Sequence, residues 1–266
     1  MKKNVIWWPA VVNSEHSDKY GGFEYFQHSR KTWEYWCKKN DVLFVPFEEP
    51  VENDLIKYRV NWQKAIFVFD ELDRMGIEYD QVALVDSSVM VKWDCPNFFE
   101  LTDRKFVVTK EMDNLKWVYD SILGYKEFFD GFELDIGKYF RSGFMIFNET
   151  HKEFFDSFKK LYLDNTETFI KLQDEIVKKG NDQTPLNYWI QMNNIDLKFL
   201  PGNWVLSHMH RKEAFRYNWQ MDGTEHEDKT PWFVKFGYTW MFNGIPKDAR
   251  TNLMKQTWDM LGHMYE

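Results

Sequence analysis

The chain has 266 residues, enough to bury a sizeable core, which excludes a miniprotein held together by disulfides. Hydrophobic residues make up 44% and charged residues 29%, the composition of a globular protein rather than of a disordered or fibrous one. The 34 Lys and Arg against 42 Asp and Glu give a formal charge of −8, which disfavours a nucleic-acid surface and favours a small ligand. Aromatic residues make up 19%, and we expect core packing to take most of them and a ligand groove some.

Cysteine usage and the first residues bear on the cellular compartment. Cys37 and Cys95 are far apart and lack metal-ligand spacing, so we expect two free thiols in a reducing compartment. The apolar run 5–12 imitates a signal peptide, but it is short, contains Pro9 and lacks a cleavage site, so we interpret it as the first strand. Since no run approaches the roughly 18 apolar residues of a membrane span, we expect a soluble, cytoplasmic protein.

Short apolar runs bounded by polar turns predict the remaining strands. In chain order they are Val42–Pro46, Val82–Val85, Val89–Val91, Phe106–Val108, Phe144–Phe147, Leu197–Leu200 and Phe233–Phe236.

Helical patterns fall between these strands. The clearest spans Asn53 to Met75, with Asn53 or Asp54 as the cap and Gly76 as the stop. A later helix opens at Thr184-Pro185, with Thr184 as a candidate cap. The other predicted helices are Lys152–Tyr162, Thr166–Lys179 and Asp248–Met264. With no repeat and no Pro/Gly/Ser-rich linker, the alternation predicts a single α/β domain whose mostly parallel sheet is flanked by helices.

Asp86 is the most informative position in the sequence. It follows the hydrophobic strand that begins at Tyr79, so it lies at the carboxyl end of a strand, where open α/β sheets bind their ligands. The helical segment before this strand carries Arg59 and Lys64, two cations that could face the same crevice.

The segment from Tyr79 to Val91 resembles the glycosyltransferases of the GT-A fold, especially the glycogenin-like and galactosyltransferase-like enzymes. Their strand reads roughly Tyr-Asp-x-Val-x-x-x-Asp-x-Asp-x-x-Val. The residues of this chain that match it are Tyr79, Asp80, Val82, Asp86 and Val91.

Four further blocks agree with that family in chain order, and the resemblance covers roughly residues 4 to 245. Tyr139–Asn148 is similar to an Asn-Ser-Gly-x-Met-x-x-Asn segment, with Arg141 in place of the usual Asn. Asn181–Asn187 is similar to an Asp-Gln helix start, and Leu197–Trp204 to the strand and Pro-x-x-Trp turn after it. We align Phe233–Gly237 with a segment that commonly reads Ile-Ile-His-Phe-x-Gly.

Two departures from the family concern its metal. The family holds manganese or magnesium with the two acids of Asp-x-Asp and the late His, but this chain has Ser88 and Lys235 at the second and third of these positions. A hydroxyl and an ammonium do not make the anionic oxygen cage that a hard cation needs. We therefore hypothesise metal-independent transfer, in which Lys235, helped by Arg141 or Arg59, stabilises the departing diphosphate directly.

The resemblance also implies roles for single residues. Asp86 would accept hydrogen bonds from the donor ribose, and it is the one candidate ligand if a metal does bind. Asp182 would contact the acceptor hydroxyl or act as a base, although an acid before a helix is equally an ordinary capping residue. Gln183 would face the anomeric centre. The catalytic candidates are Asp182, Gln183 and Lys235; the donor-binding candidates are Arg59, Lys64, Asp86, Ser88, Arg141, Ser142 and Gly143; the acceptor-binding candidates are Trp204 and Trp240.

We therefore expect a hexosyltransferase that moves a sugar from a nucleotide sugar, a UDP- or GDP-sugar, to a glycan or another hydroxyl acceptor. Residues 1–110 would bind the nucleotide and residues 111–266, which end in a helix, the acceptor. The sequence leaves open the sugar, the base, the acceptor, retention or inversion, and the oligomeric state.

Other classes of function receive weaker support. A catalytically silent module of the same fold that binds a sugar nucleotide or a glycan is the alternative, and donor hydrolysis or transfer distinguishes the two. A nucleotidyltransferase would need a Gly-rich basic loop after the first strand, which residues 11–20 do not provide. His208, His210 and His226 suggest a zinc site only weakly, because no carboxylate pair accompanies them.

Overall fold

The computed structural model describes residues 2–12, 23–111, 114–207, 219–245 and 247–266. Its strands are β1 (Lys3–Pro9), β2 (Leu43–Phe47), β3 (Tyr79–Val85), β4 (Val89–Val91), β5 (Phe106–Lys110), β6 (Phe140–Asn148), β7 (Leu197–Phe199), β8 (Val205–Ser207) and β9 (Thr239–Met241). Its α-helices are α1 (Phe26–Asn40), α2 (Val60–Ile66), α3 (Val68–Arg74), α4 (Leu115–Lys126), α5 (Lys152–Asp164), α6 (Thr166–Lys171), α7 (Gln183–Met192), α8 (Trp232–Phe236) and α9 (Lys247–Leu261).

The described residues form a central six-stranded sheet in the order β2-β1-β3-β6-β5-β7. Strand β6 is antiparallel to both of its neighbours, and the other adjacent pairs are parallel. This arrangement confirms the predicted mostly parallel α/β sheet. A second sheet of three described strands, β4-β9-β8, lies beside it.

The central strands are buried on both faces because successive side chains of a strand point to opposite sides. On one face Trp7 and Leu84 pack with residues of α2, α3, α4, α5 and α7. On the other face Trp8 and Val85 pack with residues of α1. A third cluster around Trp240 joins β9 to α9. Helices on both faces hold the sheet rigid, so its carboxyl edge presents fixed positions to a ligand.

The helix predicted over Asn53–Met75 is wrong at its start and in its middle. Helix α2 begins only at Val60, because Arg59 has the extended ψ of 145°, and Phe67 separates α2 from α3. The Gln63 amide donates to the Glu52 carbonyl at 2.8 Å, which ties the preceding loop to α2 instead of letting the helix continue backwards. Gly76 stops the pattern as predicted, with a φ of 66°.

The strand predicted over Phe233–Phe236 is also wrong, since this segment is the short helix α8. A run of four apolar residues does not distinguish a buried strand from a buried helix. The carbonyl of Pro231 accepts hydrogen bonds from the amides of Val234 at 3.0 Å and Lys235 at 3.2 Å, which closes a helical turn.

Other helix boundaries shift by smaller amounts. Helix α7 begins at Gln183, so Asp182 takes the cap position that we predicted for Thr184. The segment predicted as one helix over Thr166–Lys179 is α6 followed by a π-helical turn over Leu172–Ile176. Helices α1 and α4 have no counterpart among the predicted helices.

Candidate functional site

A two-lobed cleft lies at the carboxyl edge of the central sheet. The first lobe, of about 420 Å³, extends from the end of β1 towards α9, and the second, of about 560 Å³, extends towards α4 and α7. Both lobes reach the same middle, whose shared lining residues are Asn61, Lys64, Asp86, Asn181, Asn243 and Gly244.

Strand direction explains why these residues meet. Strand β3 ends at Val85, and its antiparallel partner β6 begins at Phe140, so the end of one strand faces the start of the other. Val85 pairs with Phe144, and the amide of Asp86 donates to the carbonyl of Gly143 at 2.9 Å. Asp86 and the Arg141-Ser142-Gly143 segment, which the sequence predicts at one site, are thereby brought together.

Both oxygen atoms of the Asp86 carboxylate accept a hydrogen bond within the cleft. Its Oδ1 accepts a hydrogen bond from Lys64 Nζ at 2.7 Å, and its Oδ2 accepts one from Asn243 Nδ2 at 3.0 Å. A Cβ at Gly143 would lie 2.7 Å from Asp86 Oδ2 and 2.9 Å from Met241 Cε, both closer than atoms tolerate. Glycine at this position therefore makes room for the carboxylate.

Lys64 joins two carboxylates in the middle of the cleft. Only 5% of the residue is exposed, and its Nζ lies 2.7 Å from Asp86 Oδ1 and 3.6 Å from Asp182 Oδ2. Burial by itself lowers the pKa of this ammonium, but the two carboxylates outweigh burial and raise the pKa above 10.5. Lys64 is therefore a permanent cation that holds both acids in place.

The Asp182 side chain does not cap helix α7, although the residue stands at the cap position. Its Oδ1 accepts a hydrogen bond from Asn61 Nδ2 at 3.1 Å, and the residue is 5% exposed on the wall of the second lobe. Of the two interpretations offered by the sequence, the structure favours an acid that faces the cleft.

The next residue, Gln183, ties α7 to the start of β6. Its Oε1 accepts a hydrogen bond from the Ser142 amide at 3.3 Å, and its side chain lines the second lobe. Arg141 is 3% exposed in the same lobe, with its Nε 3.5 Å from Glu111 Oε2. The second lobe therefore presents a wall of amide, guanidinium and carboxylate groups.

Two further donor candidates, Arg59 and Ser88, line the first lobe. Arg59 pairs with Asp174 and donates to Gln173 Oε1 at 3.3 Å. The Ser88 hydroxyl donates to Asn243 Oδ1, so this hydroxyl supports the amide that binds Asp86.

The structure does not bring Lys235, Trp204 or Trp240 to the cleft. Lys235 Nζ pairs with Asp228 Oδ2 at 2.8 Å, because α8 directs this side chain to a neighbouring turn. Trp240 is completely buried and its Nε1 donates to the Phe233 carbonyl at 3.1 Å. Trp204 is 6% exposed and packs on the Tyr238 ring at a centroid distance of 4.7 Å. Both tryptophans are therefore core residues rather than platforms for an acceptor sugar.

Sequence reasoning missed several residues of the cleft. Asn61 lies three positions before Lys64 on α2 and so shares its face, a periodicity that the sequence contained. Asn243-Gly244 directly follows β9, and this dipeptide is a turn signal at the end of a strand. Trp117 on α4 is half-buried and lines the second lobe, but no local pattern distinguishes it from a core tryptophan.

The donor set at Asp86 does not fit a divalent cation. One carboxylate oxygen binds an ammonium and the other binds an amide N–H, whereas Mg²⁺ and Mn²⁺ require several oxygen ligands with free lone pairs. Within the described ranges no three His, Cys, Asp or Glu side chains cluster as metal ligands. His226 stacks on Trp232 with a centroid distance of 5.9 Å, and His208 and His210 lie outside the described residues.

The fold is similar to that of solved glycosyltransferases. A glycosyltransferase involved in the glycosylation of the major capsid of PBCV-1 superposes with a TM-score of 0.53 at 11% identity, over 96% of this chain and 99% of that one. Mouse xyloside xylosyltransferase 1 gives a TM-score of 0.45 at 10% identity, over 92% of this chain and 99% of that one. The first superposition supports the GT-A-like α/β fold. No protein-family model and no curated protein matches the chain.

No helix of the described part of the chain is long and apolar enough to cross a bilayer.

Proposed function

We propose that this protein is a glycosyltransferase that moves a sugar from a nucleotide sugar to a hydroxyl acceptor. The observation that carries the proposal is the two-lobed cleft whose lobes meet at Lys64, Asp86 and Asp182. A transfer reaction needs two binding spaces that share one reacting point, and this arrangement supplies them.

The first lobe suits the nucleotide. Phe23, Tyr25 and Phe26 line it with aromatic rings, on which a base can stack. Arg59 and Lys64 add positive charge on the side of the lobe near Asp86. The Asp86 carboxylate lies between this charge and the second lobe, where it can accept hydrogen bonds from sugar hydroxyls.

The second lobe suits the transferred sugar and the acceptor. Asp182, Gln183 and Glu111 supply acceptors for hydroxyl groups, and Trp117 supplies an indole face for a sugar ring. Residues from both halves of the chain line each lobe. The assignment of residues 1–110 to the nucleotide and of residues 111–266 to the acceptor therefore stays a prediction.

In the proposed reaction the bond from the anomeric carbon to the diphosphate oxygen breaks, and a bond from that carbon to the acceptor oxygen forms. The nucleoside diphosphate leaves with the bonding electron pair, and Asp182 takes the proton of the acceptor hydroxyl. Lys64 stabilises the negative charge that develops between the two lobes, in the place where the sequence predicted Lys235. Gln183 at the anomeric centre and a hexosyl group remain predictions.

Metal-independent transfer is part of this proposal, because Lys64 already places a positive charge on the Asp86 carboxylate, where the family's metal would lie. The first test is thermal unfolding with UDP, GDP, CDP, ADP and their sugars, each with manganese and with EDTA. A ligand at 100 times its dissociation constant adds about 2.7 kcal/mol of stability. We expect a stabilising shift with one base that persists in EDTA. Stabilisation only with manganese contradicts metal independence, and no shift with any nucleotide contradicts the donor class.

The second test is turnover of the nucleotide sugar that binds. We expect hydrolysis or transfer by the wild-type protein and a loss of about 100-fold or more in kcat for Asp182→Asn, since general-base catalysis contributes 10²–10⁴-fold. Asp164→Asn, a change of an exposed acid on α5 that pairs with Lys160, is the matched control. If the donor binds but is not turned over, the catalytically silent binding module becomes the favoured function.

A further inference from the structure

Arg250, on the C-terminal helix α9, lines the first lobe, which residues of α2 also line. Its Nη1 donates a hydrogen bond to the Tyr25 hydroxyl at 3.3 Å, and its guanidinium carbon lies 5.2 Å from the centre of the Tyr25 ring. The tyrosine therefore contacts the guanidinium through both its hydroxyl and its ring.

Among the described residues, three cations line the first lobe, and they differ in what they contact. Lys64 is paired with Asp86, and Arg59 with Asp174. The described contacts of Arg250 are with the hydroxyl and ring of Tyr25, which carry no formal charge. Burial raises the pKa of Tyr25 above 10.0, so the phenol stays neutral near pH 7.

The Nε–H group of Arg250 is buried, and it has no hydrogen-bond partner among the described residues. Among the described contacts Tyr25 accepts one of the five N–H donors of the guanidinium, so further donors remain for a ligand oxygen. Arginine is suited to phosphate because its planar donors bind two oxygens at once.

We propose that Arg250 binds the diphosphate of the donor, so that helix α9 completes the nucleotide site. This inference rests on the proposed function, since it assigns the phosphate contact of the same cleft. The guanidinium lies in the lobe that Asp86 borders, and its described contacts include no carboxylate, unlike those of Lys64 and Arg59. Stabilisation of the departing diphosphate then depends on a residue distant in sequence from every motif around Asp86.

Packing holds this helix in place. Met254 and Thr257 are completely buried, and the Gln220 side chain donates to the Leu253 carbonyl at 3.1 Å and to Thr257 Oγ1 at 3.0 Å. Arg250 is therefore presented by a fixed element, and its substitution need not move the helix.

The test compares Arg250→Gln and Arg250→Lys with wild type by isothermal titration, with the best-binding member of UDP, GDP, CDP and ADP and with the matching nucleoside. The loss of a charged phosphate contact should weaken diphosphate binding about 10- to 100-fold, with nucleoside binding changed less than about twofold. Arg250→Lys should recover part of the loss. Lys255→Gln, an exposed change on the same helix, should bind both ligands as wild type does.

Two results would overturn the inference, and they are distinguishable. If the wild-type protein binds a nucleoside diphosphate and Arg250→Gln weakens the diphosphate and the nucleoside equally, Arg250 acts on the fold of the lobe and not on phosphate. If no nucleoside diphosphate binds the wild-type protein, the donor proposal fails and this inference fails with it. Thermal unfolding of each variant without ligand identifies a loss of folding.

Discussion

Replacement of Lys64 by methionine tests the electrostatic centre of the cleft without any knowledge of the substrate. Methionine has nearly the same length and fills the same space, but it removes the ammonium that lies between Asp86 Oδ1 at 2.7 Å and Asp182 Oδ2 at 3.6 Å. The two carboxylates, on side chains 19% and 7% exposed, would then face each other without a cation.

The expected loss of stability follows from that burial. Removal of one partner from a buried ion pair costs about 3–5 kcal/mol. Since about 1 kcal/mol corresponds to about 2–4 °C in a chain of roughly this size, the Tm of Lys64→Met should fall by about 6–20 °C at pH 7. Lys159→Met removes a lysine whose pair with Asp70 is more exposed, with side chains 22% and 42% exposed, and it should cost only about 0.2–1 kcal/mol.

The stability that Lys64 contributes depends on pH, and the sign of this dependence follows from its pKa. The folded-state pKa of Lys64 is raised above 10.5, so its contribution is complete below the unfolded value and is lost as the pH rises through the folded value. The deficit of Lys64→Met should therefore be constant near pH 7 to 9 and shrink in strong alkali.

Urea unfolding of wild type, of both lysine variants and of Lys64→Met combined with Asp86→Asn measures these quantities. Removal of the Asp86 charge should restore part of the stability lost with Lys64, which a double-mutant cycle records as coupling. The reasoning fails if Lys64→Met is as stable as Lys159→Met. It also fails if the losses of unfolding free energy from Lys64→Met and Asp86→Asn simply add in the double variant, because the buried ion pair then does not stabilise the cleft.

Two other changes test the walls of the cleft. Gly143→Ala places a Cβ 2.7 Å from Asp86 Oδ2, so it should weaken nucleotide binding at least tenfold by titration and destabilise the fold by about 1–3 kcal/mol. Gly202→Ala, which meets no atom within 4 Å, is its control, and equal effects of the two changes would contradict the argument. Trp117→Ala should raise the KM for the acceptor about fivefold or more with little change in kcat, because a stacking contact contributes about 1 kcal/mol. An unchanged KM would show that Trp117 does not contact the acceptor.

The fold and part of the cleft were predictable because their signals are local. Continuous apolar runs at β3 and β6 predict buried strands, and a carboxylate after such a strand lies at the ligand-binding edge of the sheet. Asp86 was therefore placed at this edge without coordinates, whereas Ser142 and Gly143, which lie within β6, were named through the resemblance to the family's Ser-Gly segment. Asp182 was found as well, but its orientation was open, because a capping acid and an acid that faces a cleft have the same sequence pattern.

The errors arose where the structure depends on contacts between distant parts of the chain. The sequence is equally compatible with Trp240 as a surface that stacks on a sugar and as a core residue. Its burial against α8 and α9 shows that it is a core residue. Lys235 was assigned to the site by the alignment of Phe233–Gly237 with the family's late His segment, and the helical turn after Pro231 directs it to Asp228 instead.

The sequence by itself determined the class of fold, the edge of the sheet that carries the site and the acid at its centre, because periodicity and turn residues act over a few positions. Tertiary structure alone decided which side chains bind that acid. Lys64 is 22 positions from Asp86 and Asn243 is 157 positions away, yet both bind the same carboxylate. Such pairing depends on how helices pack against the sheet, which fixes distances that no local pattern encodes.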